Sequence, residues 1–155
     1  MADNLARFFY EPDSDNPGWH HYRARDPESF AHVIAPLRVR TETGADGKER
    51  VRLRMVPTRE HCNMLDTLHG GAMMLLVDLS LFAAIRLILQ GDGDGAVTLD
   101  LSQQFLGAGR FGKPVDAVVE VLRETGRLVF LRGLVEQEDD VLASFSATVR
   151  KSSKR

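Results

Sequence analysis

The sequence predicts an α+β fold in which a strongly curled antiparallel sheet wraps around one long central helix. Three observations lead there. Five runs alternate apolar and polar residues with the two-residue period of strands, and a sixth is almost continuously apolar. One further run, from Ala72 to Leu89, is long enough for a helix yet shows almost no polar face. With 155 residues, 43% of them hydrophobic and 27% charged, the chain has the size and composition of one globular unit with a sizeable core.

The elements follow in chain order. Residues 1–35 read as an N-terminal arm: a short apolar start, then an irregular stretch over residues 11–30 rich in Pro, Asp and Asn, including Trp19 and the His20-His21 pair. Residues 36–150 form a single domain. Leu37, Val39 and Thr41 alternate with arginines; after the turn Gly44-Ala-Asp-Gly47 the pattern resumes at Val51, Leu53 and Met55, which predicts a hairpin with one apolar face. A polar loop lies between Pro57 and Leu68. The helix starts near Gly70 and stops before Gly91.

Four strands complete the domain. Val97, Leu99 and Leu101 are expected on one face of the first, and Val115, Ala117, Val119 and Val121 on one face of the second. Leu128 to Val135 reads as a more buried strand, and Val141, Ala143, Phe145, Ala147 and Val149 line the last. Residues 151–155 read as a flexible tail. A helix apolar almost all round cannot leave one side in water, so the sheet must curl over it, helped by a second copy.

Composition excludes several function classes. Twenty Lys+Arg against 22 Asp+Glu give a formal charge of −2, leaving no basic field for nucleic acid or anionic lipid. The one cysteine, Cys62, excludes an intrachain disulfide and a multi-cysteine zinc site, and suits a reducing, cytoplasmic compartment. The N-terminus shows no secretory signal. Asp78 and Arg86 inside the apolar run argue against a bilayer crossing, because each would cost about 2.5–3.5 kcal/mol near the membrane centre.

Chemistry concentrates between His61 and Asp78. Gly70 and Gly71 open the helix, where unpaired N–H groups and the positive end of the helix dipole suit an anion or a polarised carbonyl oxygen. Glycines there also serve plain tight packing, and the residues leave both readings open. Asp78 has only Met74, Leu75, Leu81 and Phe82 at helical i±3 and i±4 spacing. Such a carboxylate either meets an arginine from a neighbouring strand, reaches an exposed sliver, or acts as a base or nucleophile in a partly desolvated site. Eight residues of helix separate Gly70 from Asp78 by about 12 Å. If both act on one bond, the site combines Gly70 of one copy with Asp78 of another.

Asn63, His69-Gly70-Gly71 and Asp78, with Val97-Thr98-Leu99-Asp100-Leu101 and Gln104-Phe105-Leu106 downstream, resemble the hotdog-fold thioesterases of the phenylacetic-acid-degradation type. The resemblance spans about residues 36–150. It implies hydrolysis of an acyl or aryl-acyl coenzyme A thioester at a dimer interface. Gly70 matches the position whose N–H polarises the thioester carbonyl, with Gly71 beside it at the substrate, and Asp78 the helix carboxylate acting as general base or nucleophile. Asn63 matches a loop side chain assisting at the thioester, His69 the histidine that orients the site, and Thr98 a hydroxyl that positions the water.

The resemblance implies no metal and no cofactor beyond the coenzyme A carried by the substrate, and a homodimer or a dimer of dimers. Two departures bear on the substrate: Asp66 stands where relatives usually have glycine, and Gly107-Ala108 follow the Phe-Leu pair where relatives have Arg-Pro. A hotdog hydratase or dehydratase, or a non-catalytic acyl-CoA binding protein, are the alternatives. His61, Cys62, Asp66 and His69 match no zinc spacing.

Overall fold

The computed structural model describes residues 7–91, 93 and 95–152. Eight strands, β1 (Phe8–Pro12), β2 (His20–Ala24), β3 (Leu37–Thr43), β4 (Glu49–Met55), β5 (Val97–Phe105), β6 (Val115–Glu124), β7 (Leu128–Gln137) and β8 (Asp140–Arg150), surround helix α1 (Gly70–Leu87). They form one antiparallel sheet in the order β1-β2-β3-β4-β6-β7-β8-β5. This is the curled sheet around a central helix that the sequence predicts.

Helix α1 lies across β4 and β6. It is long and apolar enough to cross a membrane by length and composition, yet half of it is buried inside this chain. Met73, Leu76, Val77 and Leu81 pack against Leu37, Val39, Val51, Leu53, Val115 and Val119, all of them buried. The apolar faces of β3, β4 and β6 are those the alternation predicts. Bulges between Val121 and Arg123, between Val135 and Glu136, and between Thr98 and Asp100 add local twist.

Three readings are corrected. The segment read as an irregular arm carries β1 and β2, which extend the sheet beyond β3. Aromatic and ionic contacts hold them: Phe8 stacks on Tyr22, Tyr10 stacks on His20, and the guanidinium groups of Arg40 and Arg54 both lie over the Trp19 ring. The Pro/Asp/Asn content belongs to the turn between them, where Asp13 accepts hydrogen bonds from Asp15 N–H and Asn16. Next, β7 is one-sided rather than buried on both faces. Val129, Leu131 and Val135 point inward while Phe130 and Leu134 face out, because no layer covers the outer surface. Last, the β5 apolar face is displaced: Leu99 is 55% exposed, for the reason given with the site below. Of the flexible-tail residues, 153–155 lie outside the described ones.

The outer face of β3, β4, β6 and β7 is ionic. Arg52 donates to Glu42, Asp116 and Glu136, Arg54 to Asp116, and Arg132 to Glu120. Burial works against the Arg52 charge, but these hydrogen bonds outweigh it and hold the guanidinium above its usual range. Asp13 is likewise held down, to about 2, chiefly by its hydrogen bond from Arg38.

A carboxylate with a depressed folded-state pKa stabilises the fold above its unfolded value and loses that contribution as pH falls through the folded one. Stability of the wild type is therefore expected to decline between about pH 4 and pH 2 more steeply than that of Asp13→Asn, measured by urea unfolding across that window.

Candidate active site

The helix N-terminus is delivered by a braced loop. A short 3-10 turn at Arg59–His61 follows Thr58, whose N–H donates to His61 Nδ1 (2.9 Å). The other ring nitrogen, Nε2, meets the Val33 carbonyl at 2.6 Å, which ties the loop to the turn at Phe30–Ile34. Asn63 closes the next turn from within: Oδ1 accepts from Leu65 N–H (2.8 Å), and Nδ2 donates to Thr67 Oγ1 (2.9 Å). Its side chain is thus engaged in shaping the loop.

Asp66 adopts φ 58°, the left-handed conformation that glycine takes most easily and aspartate tolerates. Its carboxylate pairs with Arg59 at 2.7 Å, so the charge is partnered at the surface. Leu68 N–H then bonds Gly109 O and His69 N–H bonds His61 O, both at 2.8 Å, fixing the entry to α1.

His69 is the N-cap. Its Nδ1 accepts from Gly71 N–H at 2.9 Å, which places the ring proton on Nε2. Gly70 N–H, in the first helical position, has no acceptor among the described residues and keeps its donor free. A Cβ at Gly70 would lie 3.1 Å from the Phe105 ring, and one at Gly71 would lie 3.1 Å from His69 Nδ1. Both glycines therefore permit close approach, by a strand side chain and by the cap respectively.

Asp78 lies a little over two turns further on. Gly71, Met74, Asp78 and Phe82, with Ala72, Leu75 and Leu79 beside them, belong to the face of α1 that the sheet leaves partly open. The partner of Asp78 is a hydroxyl rather than an arginine: Thr98 Oγ1 donates to Asp78 Oδ1 at 2.8 Å. No arginine or lysine among the described residues pairs with this carboxylate. One oxygen is fixed by Thr98, and the other remains to accept a proton.

Thr98 reaches Asp78 because of the β5 bulge. Leu101, Gln103 and Phe105 are in register with Ala147, Phe145 and Ala143 of β8, whose side chains point toward the helix. Regular alternation would send Leu99 inward as well. The bulge leaves Leu99 as the extra residue, Thr98 pairs with Val149, and the parity of the strand reverses. Sequence alternation assigns Thr98 to the polar face and misses this inversion.

The structure thus gathers Asn63, His69, Gly70 and Gly71 at the N-terminal end of α1 and Asp78 with Thr98 at its middle, about 12 Å apart along one helix. His61, Cys62, Asp66 and His69 turn to separate partners, and no group of three or more His, Cys, Asp or Glu that could hold a metal gathers among the described residues. Gln103 is an inward-facing residue that sequence reasoning did not single out; Phe105, quoted there only within the Gln104-Phe105-Leu106 run, reaches Gly70 with its ring tip while remaining half exposed. Their shared parity with Leu101 was the available signal.

The profile of the Thioesterase superfamily matches residues 65–144. No curated protein matches the sequence. Among solved structures, zebra fish thioesterase superfamily member 2 is similar at TM-score 0.68 and 23% identity, over 82% of this chain and 89% of that one. The PaaI protein of the phenylacetic acid degradation operon of E. coli is similar at TM-score 0.59 and 19% identity, over 67% and 73%. A point mutant of the phenylacetic acid degradation protein PaaI from Thermus thermophilus gives 0.62 and 19%, over 79% and 97%. At these identities the structural likeness is one of fold. The profile spans just over half of the 155 residues, across the helix and its glycine start, and with the curled sheet around that helix it places the protein in the thioesterase superfamily, with a hotdog fold.

Proposed function

We propose that the protein is an acyl-CoA thioesterase that hydrolyses an acyl or aryl-acyl coenzyme A to the free acid and CoA, at a site shared by two copies of the chain. The observation that carries this reading is the Asp78 carboxylate, held by Thr98 on the partly open face of a half-buried apolar helix whose first N–H is unclaimed among the described residues. In this scheme Gly70 N–H of one copy binds the thioester carbonyl oxygen, and Asp78 of the other faces the carbonyl carbon. Water attacks as Asp78 takes its proton, the C–S bond breaks, and the proton held by Asp78 passes to the departing thiolate, which restores the carboxylate. His69 and Asn63 hold the glycine end in shape, Gly71 leaves room for substrate, and Thr98 fixes the carboxylate. The reaction calls for no metal or redox cofactor.

Two features support a pair of copies. Strand β5 is an edge of the sheet, nine residues long, and it exposes Val97 and Leu99. A long apolar edge invites pairing with another chain. The partly open face of α1 carries Met74 and Phe82 beside Asp78, and a second copy placed there would cover both the face and the substrate.

Three outcomes are expected. Asp78→Ala lowers kcat for free-thiol release from a panel of acyl-CoAs by about 10²-fold or more; equal rates would overturn the mechanism. Thr98→Val, which leaves the carboxylate but removes its hydrogen bond, lowers kcat by roughly tenfold. Sedimentation at assay concentration gives a dimer or larger, and a fully active monomer would refute the shared site. Tight binding of an acyl-CoA without cleavage would point to the non-catalytic alternative.

A further inference from the structure

Away from the candidate site, the sheet splits where the N-terminal hairpin leaves it. Strand β2 pairs with β3 only from His20 to Tyr22, opposite Val39 to Leu37. Past Tyr22 it runs on beside β1, while the chain ahead of Leu37 turns away through Ala35-Pro36 into the 3-10 turn Phe30–Ile34. A cavity of about 490 Å³ occupies that split. Clefts that hold small molecules run from roughly 300 to 1,000 Å³.

Floor and rim differ in character. Tyr22 and Leu37 are buried and, with Pro36, supply an apolar floor. The rim carries Glu11 and Arg23, both exposed, and His32. Glu11 stands opposite His21 and Phe9 opposite Arg23 in the β1–β2 register. Glu11 and Arg23 are therefore diagonal neighbours on one face, roughly 7–8 Å apart at the backbone. That spacing suits an ion pair, yet none forms. The Arg23 guanidinium lies instead over the Phe9 ring at 4.2 Å, where that of Arg25 also lies, at 4.1 Å. Among the described residues, no carboxylate pairs with Arg23 and no cation pairs with Glu11. His21 is 3.8 Å from Asp13. His32 donates from Nε2 to the Ala24 carbonyl at 3.1 Å, which leaves the neutral ring's Nδ1 as an acceptor.

The cavity thus offers one cation, one carboxylate and one further acceptor above an apolar floor, with the two charges held apart. A ligand that closes the gap brings an anion for Arg23, an N–H cation for Glu11 and a hydrocarbon body for the floor. A thioester has no ammonium to give. We infer that this cavity binds an α-amino acid with an apolar side chain. Its carboxylate takes the Arg23 fork, its ammonium donates to Glu11 and to His32 Nδ1, and its side chain rests on Tyr22, Pro36 and Leu37. The inference stands apart from the thioesterase reading, and Asp78 has no part in it.

The full chain is titrated with L-phenylalanine and L-leucine by calorimetry. Saturable binding is expected, and Arg23→Gln and Glu11→Gln each weaken it by about tenfold or more, because each leaves one ligand charge without its partner. Two analogues assign the groups. Hydrocinnamate, which lacks the ammonium, binds more weakly than phenylalanine and is indifferent to Glu11→Gln. Phenylalanine amide, which lacks the carboxylate, is indifferent to Arg23→Gln. Glycine binds more weakly than leucine, and Asp78→Ala retains the binding.

No saturable binding of either amino acid overturns the proposal. Binding that survives both rim exchanges overturns it as well, since the two charges would then take no part. So does binding lost in Asp78→Ala, which would place the ligand at α1 instead. Should Arg23→Gln unfold the hairpin, Arg23→Met keeps an unbranched stem on Phe9 and carries the same comparison.

Discussion

Helix α1 is apolar on nearly every side, and water cannot be left against most of it. A flat sheet covers one face of a helix; covering more demands a sheet that bends, and the register shifts in β5–β8, β6–β7 and β7–β8 accompany that bend. Inward residues on β3, β4 and β6, nearly all of them fully buried, then fill the space around the helix. What the sheet does not fully cover is one face of the helix, from Gly71 to Phe82, that also carries Ala72, Leu75 and Leu79. The candidate chemistry sits on that face, so the constraint that shapes the core also decides where a substrate can approach the helix.

On that face, a single irregularity sets the character of Asp78. A carboxylate among aliphatic side chains needs a hydrogen bond, and the neighbouring strand supplies one only because an extra residue reverses its alternation between Thr98 and Asp100. A hydroxyl partner keeps the carboxylate in place without adding a positive charge beside it. An arginine at the same spot would neutralise the group as a base. The bulge is thus a device for aiming one side chain, and its cost in ladder pairing is confined to an edge strand.

The outer surface obeys a different rule. Arg50, Arg52 and Arg54 project from β4 onto Asp116 and Glu120 of β6 and Glu136 of β7, so cross-strand charge pairs stand where another protein would place a second layer of helices. Trp19 from the first turn of the sheet takes the guanidinium groups of Arg40 and Arg54 on its ring and ties the N-terminal hairpin to this network. The pairing leaves little net field, in keeping with the formal charge of −2.

Local periodicity was enough to reveal the helix, the hairpin of β3 and β4, and the inward set of β6, because each is a simple repeat of one face. The Gly70-Gly71 start and the isolated Asp78 were legible for the same reason: both break a pattern that is otherwise regular. Periodicity failed where parity changes or where partners are distant in sequence. The Thr98 inversion depends on an extra residue that alternation does not register, β1 and β2 are held as strands by stacking on each other and by the pairing of β2 with distant β3, and β7 reads as buried until Phe130 and Leu134 are seen to face out. Gln103 belongs to this second group. Its identity is printed in the chain, but that its amide is sealed inside without a partner follows only from the packing of β5 against the helix, since burial is a property of neighbours and not of the residue itself.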